Sequence, residues 1–291
     1  MTIAMRRPLS FATLLRLGRV SNLPTVWTNV LAATVLAGGE WRTASAGLVV
    51  LAMSLFYVGG MYLNDYFDRA VDAQERPSRP IPAGDVAAPV VAAIGFALLS
   101  AGIVLLAAGG LAAAGIGLLL AALIVAYDAF HKGNPVSPVM MGLCRTLVYF
   151  GAAAAAVGGV PTLVVWAGLA LAAYVAGLTY AARQESFDRV GNLWPLLVLA
   201  LPLVLALPAL GEGVSAIAIY LALIAWTAGA VYLLARRPMA GAVSRAVAVL
   251  IAGISLVDAA LLASIGAVGP ALIAVLGCGL TIASQKYVAG T

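Results

Sequence analysis

Residues 44–84 read ASAGLVVLAMSLFYVGGMYLNDYFDRAVDAQERPSRPIPAG. The first twenty form an apolar run long enough to cross a bilayer as a helix. Directly at its end stand Asn64, Asp65, Asp68 and Asp72. On a helix, Asn64, Asp68 and Asp72 follow one another at i, i+4 and i+8, with Asp65 beside them, so four oxygen-bearing side chains share one face. Carboxylates packed so closely repel one another unless a hard cation such as Mg²⁺ joins them. Arg69, Arg76 and Arg79 follow at once. Acids that hold a metal beside arginines that hold a diphosphate make chemical sense of this juxtaposition. The alternative is a solvated, salt-bridged loop between membrane helices, which has no need of the carboxylate spacing.

The rest of the chain sets this stretch in a membrane. Hydrophobic residues make up 64% of the 291 and charged residues 9%, a balance that excludes a soluble domain and gives a polytopic, all-α transmembrane bundle. The apolar runs are continuous rather than alternating, which excludes an outer-membrane barrel. They lie at 22–38, 44–63, 87–108, 110–127, 138–157, 162–182, 192–210, 214–235, 243–264 and 268–285, predicting ten crossings in one domain covering 1–291. The basic N-terminal stretch MTIAMRRPLSFATLLRLGRVSN has no adjacent apolar core or cleavage site and reads as a retained interfacial segment. Cys144 and Cys278 both fall in apolar runs, so no disulfide framework is expected, and His131 is the only histidine. The net charge of +5 follows from topology and implies no nucleic-acid partner. No obligate protein partner is indicated either.

Charge fixes the orientation. With the N-terminus in the cytoplasm, fourteen of the sixteen basic residues fall on the cytoplasmic side, Arg42 alone lies outside and Arg145 is within a span. This satisfies the positive-inside rule. Asp65, Asp68, Asp72, Glu75, Asp85, Asp128, Glu185 and Asp188 gather on that same side, although acids do not obey the rule. A cytoplasm-facing polar cavity explains them. The expected location is the bacterial inner (plasma) membrane, with the N-terminus and the active site cytoplasmic.

A second acidic patch, YAARQESFDRVGN (180–192), ends the sixth apolar run. Helical spacing puts Tyr180, Gln184, Glu185 and Asp188 within two turns, and two facing patches suit metal ions that bridge one diphosphate. The other reading of this patch is a Glu185–Arg189 ion pair at i+4. Between the patches, YDAFHKGNPVSP (127–138) brings Tyr127, Asp128, His131 and Lys132 within two turns; Lys132 is a natural diphosphate contact, while Asp128 and His131 read equally well as helix-end residues. Arg145 is costly in lipid and is expected to face the cavity, the alternative being that it snorkels to the interface. Asp258 sits deep in the ninth run with no obvious partner and carries no catalytic expectation.

These motifs resemble the UbiA superfamily of intramembrane prenyltransferases. NDYFDRAVDAQERPSRPIPAG (64–84) has the form of the family's first Asp-rich motif, YDAFHK its Tyr…Lys segment, and YAARQESFDRVGN stands in place of its second Asp-rich motif. SNLPTVWTNVLA, MGLCR and ARQE look most like the EboC-like branch. The resemblance implies a bundle of nine to ten helices and Mg²⁺-dependent transfer of an isoprenyl group from an allylic isoprenyl diphosphate to a small cyclic acceptor, aromatic or polyol-like. It implies metal ligation by Asn64, Asp65, Asp68, Asp72, Glu185 and Asp188. It implies diphosphate and prenyl binding by Asn22, Arg76, Arg79, Tyr127, Lys132, Arg145 and Tyr180. Asp68, Asp72, Asp188 and Lys132 are the expected catalytic residues, and Tyr62, Tyr66, Tyr149 and Tyr180 are the aromatic faces expected to hold an allylic cation. Gln184 and Glu185 stand where the family has aspartates, which weakens the second metal site. A terpene cyclase on the same scaffold is the nearest alternative. A membrane transporter is the alternative of another class, but it would place its polar residues at midplane.

Overall fold

The computed structural model describes residues 10–237 and 239–290, with the Ser186 side chain left out. The first nine residues, including Arg6 and Arg7 of the expected interfacial segment, lie outside the described residues. Among those described there is no strand. The α-helices are α1 (Phe11–Leu17), α2 (Leu23–Leu36), α3 (Ala44–Glu75), α4 (Ala88–Ala107), α5 (Leu111–Phe130), α6 (Ser137–Val157), α7 (Thr162–Ala182), α8 (Leu201–Leu205), α9 (Val214–Arg236), α10 (Ala242–Ala263) and α11 (Val268–Gln285).

Nine segments among the described residues are long and apolar enough to cross a membrane. The expected tenth crossing, over 22–38, is helical only from Leu23 to Leu36. At about 1.5 Å per residue its 14 residues rise only about 21 Å, short of the roughly 30 Å hydrocarbon layer. Its start nevertheless lies on the same side of the bundle as the end of α11. There the Asn22 amide donates to the Gly290 carbonyl at 2.9 Å, and Gln285 Nε2 donates to Asn22 Oδ1 at 3.3 Å. The expectation of ten crossings is thus corrected to nine segments of spanning length among the described residues, with α2 a shorter helix packed among them. The run 192–210 also departs from a regular helix. It is 3₁₀ over Trp194–Ala200 and Leu207–Gly211 with only α8 between. Pro195, Pro202 and Pro208 supply the reason, because each lacks the N–H that the α ladder needs.

The length of α3 positions the site. Its 32 residues rise about 48 Å, so the last three turns run beyond the apolar run and carry Asn64 to Glu75 out of the hydrocarbon layer. Thr43 opens α3 by accepting from the Ala46 N–H at 3.1 Å, a normal N-cap. Pro77 ends it by forcing Arg76 out of the helical region, at φ −140° and ψ 61°. The following turns fold Arg79 back onto the helix it has just left.

Small residues let the bundle close tightly, as they do where lipid offers no hydrophobic drive between helices. A Cβ on Gly95 of α4 would stand 2.8 Å from the Leu63 side chain of α3, and one on Gly142 of α6 would strike the Ala172 carbonyl of α7. Buried nearly along its whole length, α10 is the central span, packed by α2, α7, α9 and α11.

Candidate active site

The C-terminal turns of α3 form one wall of a cavity of about 410 Å³. Asn64, Asp68 and Asp72 all line it, as the i, i+4, i+8 spacing predicts, and each is buried. Asp65 points sideways. Its Oδ1 accepts from Arg79 Nη1 at 2.6 Å and from Arg19 Nη2 at 3.2 Å, and the same Arg19 nitrogen reaches Asn64 Oδ1 at 3.1 Å. Arg79 also lies 4.0 Å from Asp72. Asp65 thus clamps two guanidinium groups, rather than facing the cavity beside its neighbours. Burial pulls the Arg79 guanidinium below its ordinary value, an effect that Arg19 reinforces and Asp65 opposes.

Arg19 carries no role in the sequence reading beyond topology, yet it is central here. It sits at φ 42°, in the left-handed region, immediately before the short 3₁₀ turn Val20–Asn22. Non-glycine residues pay for that conformation, and here it aims a guanidinium at the first acidic motif. No spacing rule connects residue 19 to residue 65.

The end of α5 forms the facing wall. Lys132 Nζ and His131 Nε2 both lie 3.5 Å from Asp68 Oδ2, and His131 stacks on Tyr127 with ring centroids 5.0 Å apart. Asp128, on the buried side of the same turn, accepts from the Asn64 amide at 3.2 Å, while its other oxygen is buried without a hydrogen-bond partner. Asp128 and His131 are therefore parts of the site. Gly133 at φ 69° makes the turn that frees Lys132 from the helix.

The second acidic motif does not keep its helical spacing. With α7 ending at Ala182, Glu185–Phe187 is a 3₁₀ turn and Asp188 lies at φ 42°. Glu185 lines the cavity, as do Arg183 and Asn22. Asp188 does not. Both its oxygens are taken by the N-terminus of α10, from Gly241 N–H at 2.9 Å and Val243 N–H at 3.1 Å. Tyr180 is also turned elsewhere, donating to the Asn192 carbonyl at 2.8 Å, and Gln184 accepts from the Gly191 N–H at 2.8 Å. The Val243 and Gly241 N–H groups hold the Asp188 carboxyl below its usual value of 3.8. Its stabilisation is accordingly present above that value and lost as pH falls through the lower folded one. Asp188→Ala is expected to lower the melting temperature in detergent at neutral pH, with the gap from wild type closing on acidification below about pH 4. An equal gap at every pH would contradict the cap.

Arg145 faces the cavity and does not snorkel. It stands at the neck where the polar cavity meets an apolar side chamber of about 70 Å³, together with Tyr57, Met61, Tyr127 and Met141. Val26, Met53, Phe56, Leu120 and Val148 line that chamber. The aromatic faces at the neck are Tyr57 and Tyr127. Three of the tyrosines expected there are engaged or turned elsewhere: Tyr62 donates to the Leu14 carbonyl, Tyr149 to Asp258, and Tyr66 stacks under Arg69. None of these three lines the cavity, so the expectation for them is corrected. Their hydroxyls or faces are satisfied by nearer partners that spacing along one helix does not reveal.

Among the described residues, no group of three or more His, Cys, Asp or Glu side chains already stands in ligating geometry. The donor chemistry still fits a hard cation. Asp68, Asp72 and the Asn64 carboxamide offer oxygens on one cavity wall, with Glu185 also on the lining. Mg²⁺ commonly takes one or two carboxylates and completes its shell with water and substrate phosphates.

Residues 23–237, from α2 to the end of α9, match the UbiA prenyltransferase family. Two similar curated proteins are named digeranylgeranylglyceryl phosphate synthase. The one from Methanothrix thermoacetophila is 31% identical over 146 residues, covering 49% of this chain and 55% of that protein. The one from Methanopyrus kandleri is 30% identical over 180 residues, covering 61% and 64%. The chain thus spans little more than half to just under two-thirds of their length. Among solved structures, one of a digeranylgeranylglyceryl phosphate synthase in membranes superimposes with a TM-score of 0.63 at 21% identity, covering 88% of this chain and 98% of that one. A UbiA homolog from Archaeoglobus fulgidus bound to GPP and Mg²⁺ gives 0.54 at 16% identity, covering 94% and 99%. Those two likenesses show the fold, and the matched segment contains both acidic motifs and the turn between them. The chain belongs to the UbiA prenyltransferase family.

Proposed function

We propose that this protein ionises an allylic isoprenyl diphosphate with the help of Mg²⁺ and transfers the isoprenyl group to a small acceptor, releasing pyrophosphate. The observation that carries this reading is the cavity wall on which Asn64, Asp68 and Asp72 face Lys132, with an apolar chamber opening behind. The cavity is lined by Arg19, Arg76, Arg79, Lys132, Arg145 and Arg183 against Asp68, Asp72, Glu75 and Glu185. These cations, two of them also held by Asp65 behind the wall, suit a diphosphate.

Mg²⁺, when bound, neutralises charge on the departing pyrophosphate. Asp68 and Asp72 would hold it with the Asn64 carbonyl, and Glu185 is the second motif's contribution to the lining. Arg76, Arg79 and Lys132 would bind the diphosphate oxygens and stabilise the charge that develops there as the C–O bond breaks. Asn22 would orient its outer end. The Tyr127 ring at the neck would stabilise the allylic cation, and the prenyl chain would enter the apolar chamber and continue towards lipid. Asp188 takes the role of securing the second-motif loop to α10, at one remove from the metal.

The relatives' names favour a polyol-like acceptor, a glyceryl phosphate in their case, over an aromatic one. The EboC-like resemblance, the single domain over 1–291, the cytoplasm-facing site and the bacterial inner membrane are parts of the same proposal. The relatives named above are archaeal, so the membrane's owner rests on the sequence alone.

The test uses purified protein in nanodiscs with geranylgeranyl diphosphate, MgCl₂ and, separately, a glyceryl phosphate, a cyclic polyol and an aromatic carboxylate. Mass spectrometry of products is expected to show a prenylated acceptor. A cyclised hydrocarbon formed without any acceptor would favour the cyclase instead. No turnover of any diphosphate would refute the enzyme reading.

A further inference from the structure

Asp258 is fully buried in α10, a helix that carries neither acidic motif, and lies beyond the residues that match the family. A carboxylate enclosed among apolar helices is costly unless it is paired and hydrogen-bonded. Its partners come from two other helices. The Asn29 amide of α2 donates to both oxygens, at 3.0 and 2.8 Å, and the Tyr149 hydroxyl of α6 donates at 2.5 Å. Asn29 has its carbonyl left, and that oxygen accepts from Arg145 Nη1 at 3.0 Å. Arg145 Nη2 is fixed in turn on the Thr25 hydroxyl at 3.2 Å.

This chain has a direction. An amide offers hydrogens at one end and an oxygen at the other, so the carboxylate below and the guanidinium above permit only one orientation of Asn29. Two of Arg145's nitrogens are thereby tied to α2, and the guanidinium stands over the Tyr57 ring at 5.6 Å, at the neck of the cavity. Without Asp258 the Asn29 amide is free to turn, and Arg145 loses its distant counter-charge and one of its two anchors on α2, keeping only Thr25. A guanidinium no longer held by Asn29 is free to leave the neck.

We propose that Asp258 is a positioning residue that acts through Asn29 to hold Arg145 at the neck, where Arg145 contacts the diphosphate. This rests on the diphosphate reading of the cavity. It explains why a charge is kept at the centre of the most deeply buried span, which helix packing alone would not require.

The experiment is a double-mutant cycle on pyrophosphate binding, measured by calorimetry on the intact protein in nanodiscs with MgCl₂. Loss of a charge-assisted contact is typically worth about tenfold or more in affinity, so Arg145→Gln is expected to weaken pyrophosphate binding about tenfold. Asp258→Asn should weaken it several-fold and, in the Arg145→Gln background, have no further effect, because interacting residues are non-additive. Tyr149→Phe, a milder change should Asp258→Asn fold poorly, is expected to give a smaller loss that also vanishes in that background. Losses that simply multiply would overturn the proposal, as would a lower melting temperature with binding unchanged, or an Arg145→Gln protein that binds as wild type. Failure of the wild-type protein to bind pyrophosphate at all would instead count against the diphosphate reading itself.

Discussion

Asp68→Ala is expected to lower pyrophosphate release from geranylgeranyl diphosphate at least about a thousandfold, the equivalent of roughly 4 kcal/mol in the barrier. Three observations set that size. Asp68 is central in the Asn64–Asp68–Asp72 face, it lines the cavity, and it is the acid that Lys132 and His131 approach from the opposite wall, each at 3.5 Å. Its loss removes an oxygen proposed to hold the metal and leaves Lys132 and His131 without their anchor across the site. Asp72→Ala should be nearly as severe. Asp188→Asn should retain most turnover with an unchanged Mg²⁺ requirement, because Asp188 is occupied in capping α10. The measurement is pyrophosphate release against Mg²⁺ concentration for the three variants, each checked for normal insertion and purification. A dead Asp188→Asn beside an active Asp68→Ala would reverse the roles of the two motifs.

Asp65→Ala should act on stability before chemistry. Asp65 is buried and is approached by two guanidinium groups, Arg79 at 2.6 Å and Arg19 at 3.2 Å. Removing the shared carboxylate leaves two nearly buried like charges facing each other, and breaking a buried pair in this way costs about 3–5 kcal/mol. The clamp also ties the segments on either side of α3's acidic turns, so its loss should free Arg79 from its place over Asp72. Thermal unfolding in detergent is expected to show a large drop for Asp65→Ala. A double variant that also carries Arg19→Ala should recover part of it, since one of the two orphaned charges is then gone. If Asp65→Ala unfolds at the wild-type temperature, the clamp is a surface contact without energetic weight.

The helices and the first motif were legible because both are written in short-range periodicity. Apolar runs of about twenty residues mark spans, and the i, i+4, i+8 spacing of Asn64, Asp68 and Asp72 marks one face of a continuing helix. Legibility ended where the helix did. Asp188 was placed by assuming that α7 runs on past Ala182, whereas the chain turns through 3₁₀ and left-handed residues and sends the carboxylate to the start of α10. The run 192–210 was apolar enough to read as a regular span, but its three prolines break the ladder. Arg19, Asp128 and Asp258 depend on partners 46, 64 and 229 residues away. Such pairings are made by the packing of the bundle and leave no local trace. The tyrosines show the same limit: Tyr62 and Tyr149 have the chemistry for a cation-stabilising face, but nearer hydrogen-bond partners claim both.

The central claim is that the first motif binds a divalent cation together with a diphosphate. Electron paramagnetic resonance of Mn²⁺, a spectroscopic substitute for Mg²⁺, tests it without relying on turnover. Mn²⁺ is titrated into wild-type protein and into the Asp68→Ala/Asp72→Ala double variant, each with and without inorganic pyrophosphate. The account predicts that the wild type binds Mn²⁺ more tightly when pyrophosphate is present and that the double variant loses this binding under both conditions. Equal Mn²⁺ binding by the two proteins in the presence of pyrophosphate would contradict it.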